Sequence, residues 1–271
     1  MSLPPAASGV RPSSVVKLGG SILTRKRAVE ALRPKILARL AAEIAEAADR
    51  PLILLHGAGS FGHPGARRFG LAVAPDGRPG RVRGAAIVGT EVRRLHLAVL
   101  RALVAAGANP VSVPMATHVL QREGRPVHLD LAPFATVLDR GAIPVAFGDV
   151  VPDDRWGFSI LSADTLAVAL ATELHPQRVL FVSDVPGVLE AGPPGPPRIC
   201  PELSETVLER LTPGAGGVDV TGGIVGKVEA MRKIAAAGVD AGLISGLSDG
   251  RLTRALRGER VYGSWWSAGA H

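Results

Sequence analysis

LILLHGAGSFGHP, residues Leu52–Pro64, decides how the rest of the chain is read. Leu52–Leu55 has the length and bounding of a buried strand. Gly57, Ala58, Gly59 and Gly62 follow it closely, and residues this small let the backbone turn tightly and bring bare N–H groups against an anion. His63 ends this loop, where it can point at whatever the amides hold, while His56 reads as a strand cap that orients the loop. The glycines also satisfy G-x-G-x-x-G. A dinucleotide site, however, needs the third glycine to open a helix and an acid about 20 positions on at a strand end. Pro64 follows almost at once and the nearest acid, Asp76, sits in the turn Ala74–Gly77, so the context fails.

Outward from this stretch the same device recurs. Val15–Leu18 runs into Gly19-Gly20-Ser21, Ile143–Phe147 into Gly148-Asp149, Arg178–Val182 into Ser183–Gly187, and Val239–Ile244 into Ser245-Gly246. Helical spacing predicts helices at Pro34–Ala48, 85–106 (ending at Gly107), 133–139, 162–173, 204–211, 224–236 and 250–257. Hairpins are expected near 119–130 and 151–161, a strand near Pro110–Val113, an edge strand at 260–262, and an irregular loop or lid at 65–84. GPPGPP at 192–197 is expected as an exposed connector. Strands alternating with helices predict an α/β fold, a mainly parallel sheet covered by helices on both faces. The ligand then lies beyond the carboxyl ends of the strands, where all these glycine turns converge. Residues 1–13 are expected as a flexible tail and 14–271 as a single domain.

At 271 residues, with 46% hydrophobic and 20% charged residues, the chain is long enough for a substantial core. No apolar run reaches the roughly 18 residues of a membrane span, and the first residues lack the charged start and apolar core of a secretory signal. Cys200 is the only cysteine, which excludes an intrachain disulfide and fits a reducing cytoplasm. The net charge of +7 comes from arginines spread along the chain, and only 4% of residues are aromatic. That pattern lacks the clustered footprint of a nucleic-acid binder and suits small anionic substrates instead.

Lys17 on a buried-looking strand is unusual unless it is used or paired. Its neighbours lack the G-x-x-x-x-G-K-[ST] spacing of a P-loop. Asp164 opens a helix, and Asp149, Asp184 and Asp219 stand in turns. Lys227 follows Gly222-Gly223 by about one helical turn, where a helix N-terminus and a lysine hold phosphate oxygens together. His96, His118, His128, His175 and His271 show no metal-ligand or triad spacing. Lysines, glycine turns and an acid on one edge suit phosphoryl transfer, which needs positioning and charge neutralisation above all.

These pieces resemble the amino acid kinase superfamily and, within it, the isopentenyl phosphate kinase branch. The matching segments are Lys17–Ser21, His56–Pro64, Gly148–Val151, Ser162–Asp164, Ser183–Val188 and Asp219–Gly223 with Lys227. The GSFGHP ending is the more specific part and is shared with fosfomycin kinases. The resemblance implies a three-layer αβα sandwich, usually dimeric, with an acceptor-binding part at about 14–150 and an ATP·Mg²⁺-binding part at about 151–271. It implies ATP-dependent phosphorylation of isopentenyl phosphate to isopentenyl diphosphate. The alternatives are a fosfomycin or other small-acceptor kinase of the same superfamily, or a non-catalytic nucleotide or anion sensor.

By the same resemblance Lys17 and Lys227 neutralise the transferring group, Asp164 holds the lysines, and His63 hydrogen-bonds the acceptor phosphate. Gly57, Ala58, Gly59, Gly62, Gly148 and Asp149 belong to the acceptor side. Gly19, Gly20, Ser21, Asp184, Gly187, Gly222 and Gly223 belong to the nucleotide side. No residue is assigned to Mg²⁺, whose ligands are left to phosphates and water. Ala58, Phe147, Ile224 and Thr165 depart from the family pattern, and none of them removes an expected catalytic group.

Overall fold

Apolar runs that end in glycine become parallel strands in the computed structural model, which describes residues 10–25, 30–77, 79–190, 198–211 and 222–269. Strand β1 (Ser14–Leu18) leads to a one-turn helix α1 (Gly20–Leu23), then α2 (Pro34–Glu46) and β2 (Leu52–His56). Helices α3 (Gly59–Arg68) and α4 (Arg81–Ala105) follow, with β3 (Pro110–Ser112), β4 (Val119–Arg122), β5 (Arg125–Leu129) and α5 (Ala132–Asp139). Next come β6 (Ile143–Phe147), β7 (Asp149–Asp153), β8 (Gly157–Leu161), α6 (Ala163–Leu174) and β9 (Arg178–Ser183). The remaining elements are β10 (Leu189–Glu190), β11 (Arg198–Ile199), α7 (Glu205–Leu211), α8 (Gly222–Ala236), β12 (Asp240–Ser245), α9 (Arg251–Leu256) and β13 (Gly263–Trp266).

Seven strands form one sheet in the order β13-β12-β9-β1-β2-β6-β3. All its pairings are parallel except that of β13, which runs antiparallel to β12. β1 lies at the centre and alternates its side chains between two cores. Val15 packs with Leu166 of α6 and Val228 of α8, whereas Val16 and Leu18 pack with Leu40 of α2 and Leu95 of α4. A strand apolar on both faces needs helices on both, and the result is the expected three-layer sandwich. A second sheet, β5-β4-β7-β8, stands beside it.

The structure corrects four expectations. The glycine loop after β2 is only Gly57 and Ala58, because Gly59 opens α3 and Pro64 lies inside that helix. Proline has no N–H to give to the carbonyl four residues back, so Ser60 O loses its helical partner. Glu30 N donates to that oxygen at 3.4 Å, and Ala31 N donates to Ser60 Oγ at 3.2 Å. The irregular stretch expected over 65–84 shrinks accordingly, since α3 runs to Arg68 and α4 starts at Arg81. The edge strand expected at 260–262 is Gly263–Trp266, where pairing to β12 buries both tryptophans. Of the tail expected over 1–13, the described part is held to the body, with Val10 packed on the core and Ser13 N donating to Pro51 O. The proline-rich connector and Asp219 lie outside the described residues.

Candidate active site

Each glycine turn begins by extending the ladder of the strand beside it. Gly19 N donates to Val182 O at 2.8 Å, Gly57 N to Leu18 O at 2.9 Å, Gly148 N to His56 O at 3.0 Å and Gly246 N to Ser183 O at 2.8 Å. The turns therefore leave the sheet together at the carboxyl ends of β1, β2, β6, β9 and β12. Helices α3 and α6 start at this edge, so their positive dipole ends meet there.

Two of the turns interlock. A Cβ on Gly57 would lie 2.8 Å from Gly20 N, and one on Gly20 would overlap Gly59 N. Thr24 Oγ1 ties the same turns by donating to Gly20 O at 2.8 Å and accepting from Ser60 N at 2.9 Å. Only glycine allows this backbone-to-backbone approach, which makes the two turns one cradle of N–H groups.

Lys17 is 5% exposed, on the face of β1 that carries Val15, with Leu55 and Phe181 beside it in register. Ser162 caps α6 by accepting from Thr165 N at 2.9 Å, which places Asp164 in the first turn over the end of β1. Lys17 Nζ lies 2.7 Å from Asp164 Oδ1. Packing of α8 beside α6 brings Lys227 Nζ to 3.8 Å from Asp164 Oδ2 and to 3.2 Å from Gly223 O. Burial opposes ionisation of Asp164, but Lys17 and Lys227 outweigh it and hold its pKa below the ordinary carboxylate value.

His63 stands exposed on α3 at the same edge. The protein crowding its ring comes first in lowering its pKa, followed by the cations of Lys17, Lys227 and Arg67, with Asp164 opposing. Arg67 is an addition to the expected set. It lies one helical turn beyond His63, a relation hidden while 57–64 was read as a loop.

On the nucleotide side, Ser21 Oγ donates to Asp184 Oδ1 at 2.6 Å, joining the turns after β1 and β9. Gly222 and Gly223 open α8. Gly187 is buried rather than facing the opening, since a Cβ there would lie 2.7 Å from Ser264 Oγ of β13. Asp149 is corrected too. Its carboxylate is fully buried and taken up by Arg93 of α4, at 3.0 and 2.9 Å, so it presents no oxygen to an acceptor. Burial raises its pKa and Arg93 opposes the rise.

Phe147, on β6, packs against two buried histidines. Its ring centroid is 5.4 Å from that of His56 and 4.3 Å from that of His96, and Arg93 sits 5.7 Å over it. Neither His96 nor Arg93 has a local motif, and both reach the site only through the packing of α4. Among the described residues, no three His, Cys, Asp or Glu side chains gather as metal ligands.

Paired lysines on one carboxylate, amide-lined turns and helix N-termini together bind and neutralise oxyanions. Comparison with known proteins agrees with that chemistry. The isopentenyl phosphate kinase of Methanothermobacter thermautotrophicus is 38% identical over 259 residues, covering 92% of this chain and 97% of that protein. The isopentenyl phosphate kinase of Methanocaldococcus jannaschii is 32% identical over 257 residues, covering 91% and 95%. A solved isopentenyl phosphate kinase superposes with a TM-score of 0.80 at 32% identity, covering 94% of this chain and 99% of that one. The profile of the Amino acid kinase family matches residues 13–245. The chain therefore belongs to the amino acid kinase family.

Proposed function

We propose that the protein transfers the γ-phosphoryl group of ATP to isopentenyl phosphate, giving isopentenyl diphosphate and ADP. The observation that carries this reading is the Lys17–Asp164–Lys227 cluster beneath His63 and the interlocked glycine turns. Its support from relatives is their shared name over nearly full length.

In this reading Ala58 and Gly59 offer backbone N–H groups to the acceptor phosphate and His63 adds a side-chain hydrogen bond, whereas the expected N–H of Gly57 is taken by Leu18 O. Gly19, Gly20, Ser21 and Asp184 border the nucleotide with the start of α8. ATP bound with Mg²⁺ supplies the phosphoryl group. The residues present fit its charge, since Lys17 and Lys227 face the oxygens on which negative charge is shared in the transition state. Asp164 fixes both lysines and is occupied by them, which leaves Mg²⁺ to phosphate oxygens and water. An acceptor oxygen that is already anionic needs no general base, and none is assigned. The buried apolar cluster of Ala66, Leu71, Val88, Val92, Phe147 and Val150 adjoins the acceptor side, and a short hydrocarbon tail is proposed to pack against its edge.

About 14–150 then forms the acceptor part and about 151–271 the nucleotide part of one continuous sheet. The working unit is a homodimer through the face of α4 and β3 where Leu97, Val104 and Val111 are exposed. The reaction belongs to the cytoplasm, with no nucleic acid or membrane as partner. No described helix is long and apolar enough to cross a membrane.

The test is ADP release from Mg-ATP with isopentenyl phosphate, beside fosfomycin and a no-acceptor control. Turnover with isopentenyl phosphate alone is expected. Turnover with fosfomycin alone moves the acceptor and keeps the mechanism, and silence with both despite ATP binding overturns the reading.

A further inference from the structure

Behind the glycine turn a polar chain with no part in the chemistry above runs through two buried histidines to the surface. His56 Nδ1 lies 3.2 Å from Gly57 O, and His56 Nε2 lies 3.0 Å from His96 Nδ1. His96 Nε2 lies 2.7 Å from Ser112 Oγ, on the edge strand β3. Both rings are buried and stack at 5.3 Å between centroids.

The direction of donation follows from Gly57 O, which accepts only. His56 therefore carries its proton on Nδ1 and accepts at Nε2. His96 must then donate from its own Nδ1 and accept from the Ser112 hydroxyl at Nε2. Each ring is neutral, because burial leads the causes that lower the pKa of His56 to about 3 and of His96 to about 4. A second proton on His56 would set its Nε2–H against the Nδ1–H of His96.

We infer that His56, His96 and Ser112 form a positioning chain that sets the Gly57–Ala58 peptide of the anion cradle. A trans peptide points its C=O and N–H in opposite directions. Pinning Gly57 O toward β2 therefore aims Ala58 N–H away from the sheet, toward the acceptor space. The two histidine rings of the chain are buried against Phe147, and its far end, Ser112, opens at the surface. This role rests on the cradle reading given above, whereas the chain itself does not.

The experiment has two arms. In the first, ¹⁵N NMR of the intact protein is expected to show both imidazoles protonated at Nδ1, the minor form of free histidine. An Nε2-protonated ring at either position overturns the chain, whatever reaction the protein performs. In the second, steady-state kinetics compares His96→Phe, which removes the donor, with His96→Asn, which keeps an N–H where Nδ1 stood. His96→Phe is expected to raise the KM for isopentenyl phosphate about tenfold and leave that for ATP unchanged, and His96→Asn to restore it. Equal behaviour of the two variants, or an equal rise in both KM values, overturns the positioning role. Silent turnover in the unsubstituted protein removes the kinase reading and the cradle role together, and the NMR result still decides the chain.

Discussion

Lys17 and Asp164 meet at 2.7 Å where the central strand ends and α6 begins. The pair bears on both stability and turnover. Lys17→Met keeps the length of the side chain and removes its charge. It is expected to cost stability, because Asp164 loses its 2.7 Å partner, but less than removal of Asp164 does, since that carboxylate is partly exposed and keeps Lys227 at 3.8 Å. Its kcat is expected to fall about 100-fold or more, the usual effect of losing one preorganised charge-stabilising group. Denaturant unfolding and initial rates on the same preparation check both, and an unchanged kcat removes Lys17 from the chemistry.

Asp164→Ala is the more costly of the two to stability. Lys17 is left buried without its partner, and a cost of about 3 kcal/mol in stability is expected. Turnover falls as well, since both lysines lose the carboxylate that holds them. An Asp164→Ala protein as stable as the parent would show that the ion pair does not hold Lys17 in the folded state.

Gly20→Ala tests the interlocked turns. The new methyl group would overlap Gly59 N, so the turns after β1 and β2 must part. Loss of isopentenyl phosphate binding is expected in calorimetry, with the secondary structure retained in circular dichroism. Binding that survives would mean that the two turns need not touch to hold the anion.

For His63 the expected signature is proton uptake. Crowding and neighbouring cations keep its pKa below the ordinary value in the free protein. A bound phosphate dianion favours the imidazolium and must raise that pKa. An NMR titration with and without isopentenyl phosphate measures the shift, and His63→Ala should weaken the acceptor while leaving ATP affinity intact. A pKa indifferent to the acceptor places the ring away from its phosphate.

The buried histidines also set an acid limit. Their folded pKa values, about 3 for His56 and about 4 for His96, lie below the unfolded value of 6.5. The unfolded chain therefore binds more protons, and stability is complete above pH 6.5 and lost as pH falls toward 4. Each ring contributes a slope of up to about 1.4 kcal/mol per pH unit in that window. Unfolding free energies at several pH values check the slope, and His96→Asn should remove its share.

What the sequence made legible follows from how local each signal is. Leu52–His56 and Ile143–Phe147 are apolar runs closed by glycine, so their strands and turns can be read without knowing their neighbours. Lys17, His63, Asp164 and Lys227 were legible because each stands beside such a turn or a helix start. Helix α3 was not. It begins with Gly-Ser-Phe-Gly and contains Pro64, and its stability comes from Glu30 N–H and from close packing of Gly65 on Val88. Those partners are far away in sequence, and Arg67 was hidden with the helix. Asp149 resembled an open turn acid because nothing near it announces Arg93, which arrives along α4. The edge strand was expected at 260–262, and the antiparallel pairing with β12 places it at Gly263–Trp266.

The central place of β1 has a consequence for how the molecule is made. Ser14–Leu18 leaves the ribosome first among the strands of the main sheet, yet one of its two neighbours, Arg178–Ser183, is synthesised more than half the chain later. Until then β1 has one bare edge, and the buried ammonium of Lys17 must await α6 for its counter-charge. Contacts so distant along the chain make folding slow and leave a growing chain open to wrong pairing. Catalytic competence therefore arrives late in synthesis, and phosphoryl transfer reports that the sheet has closed.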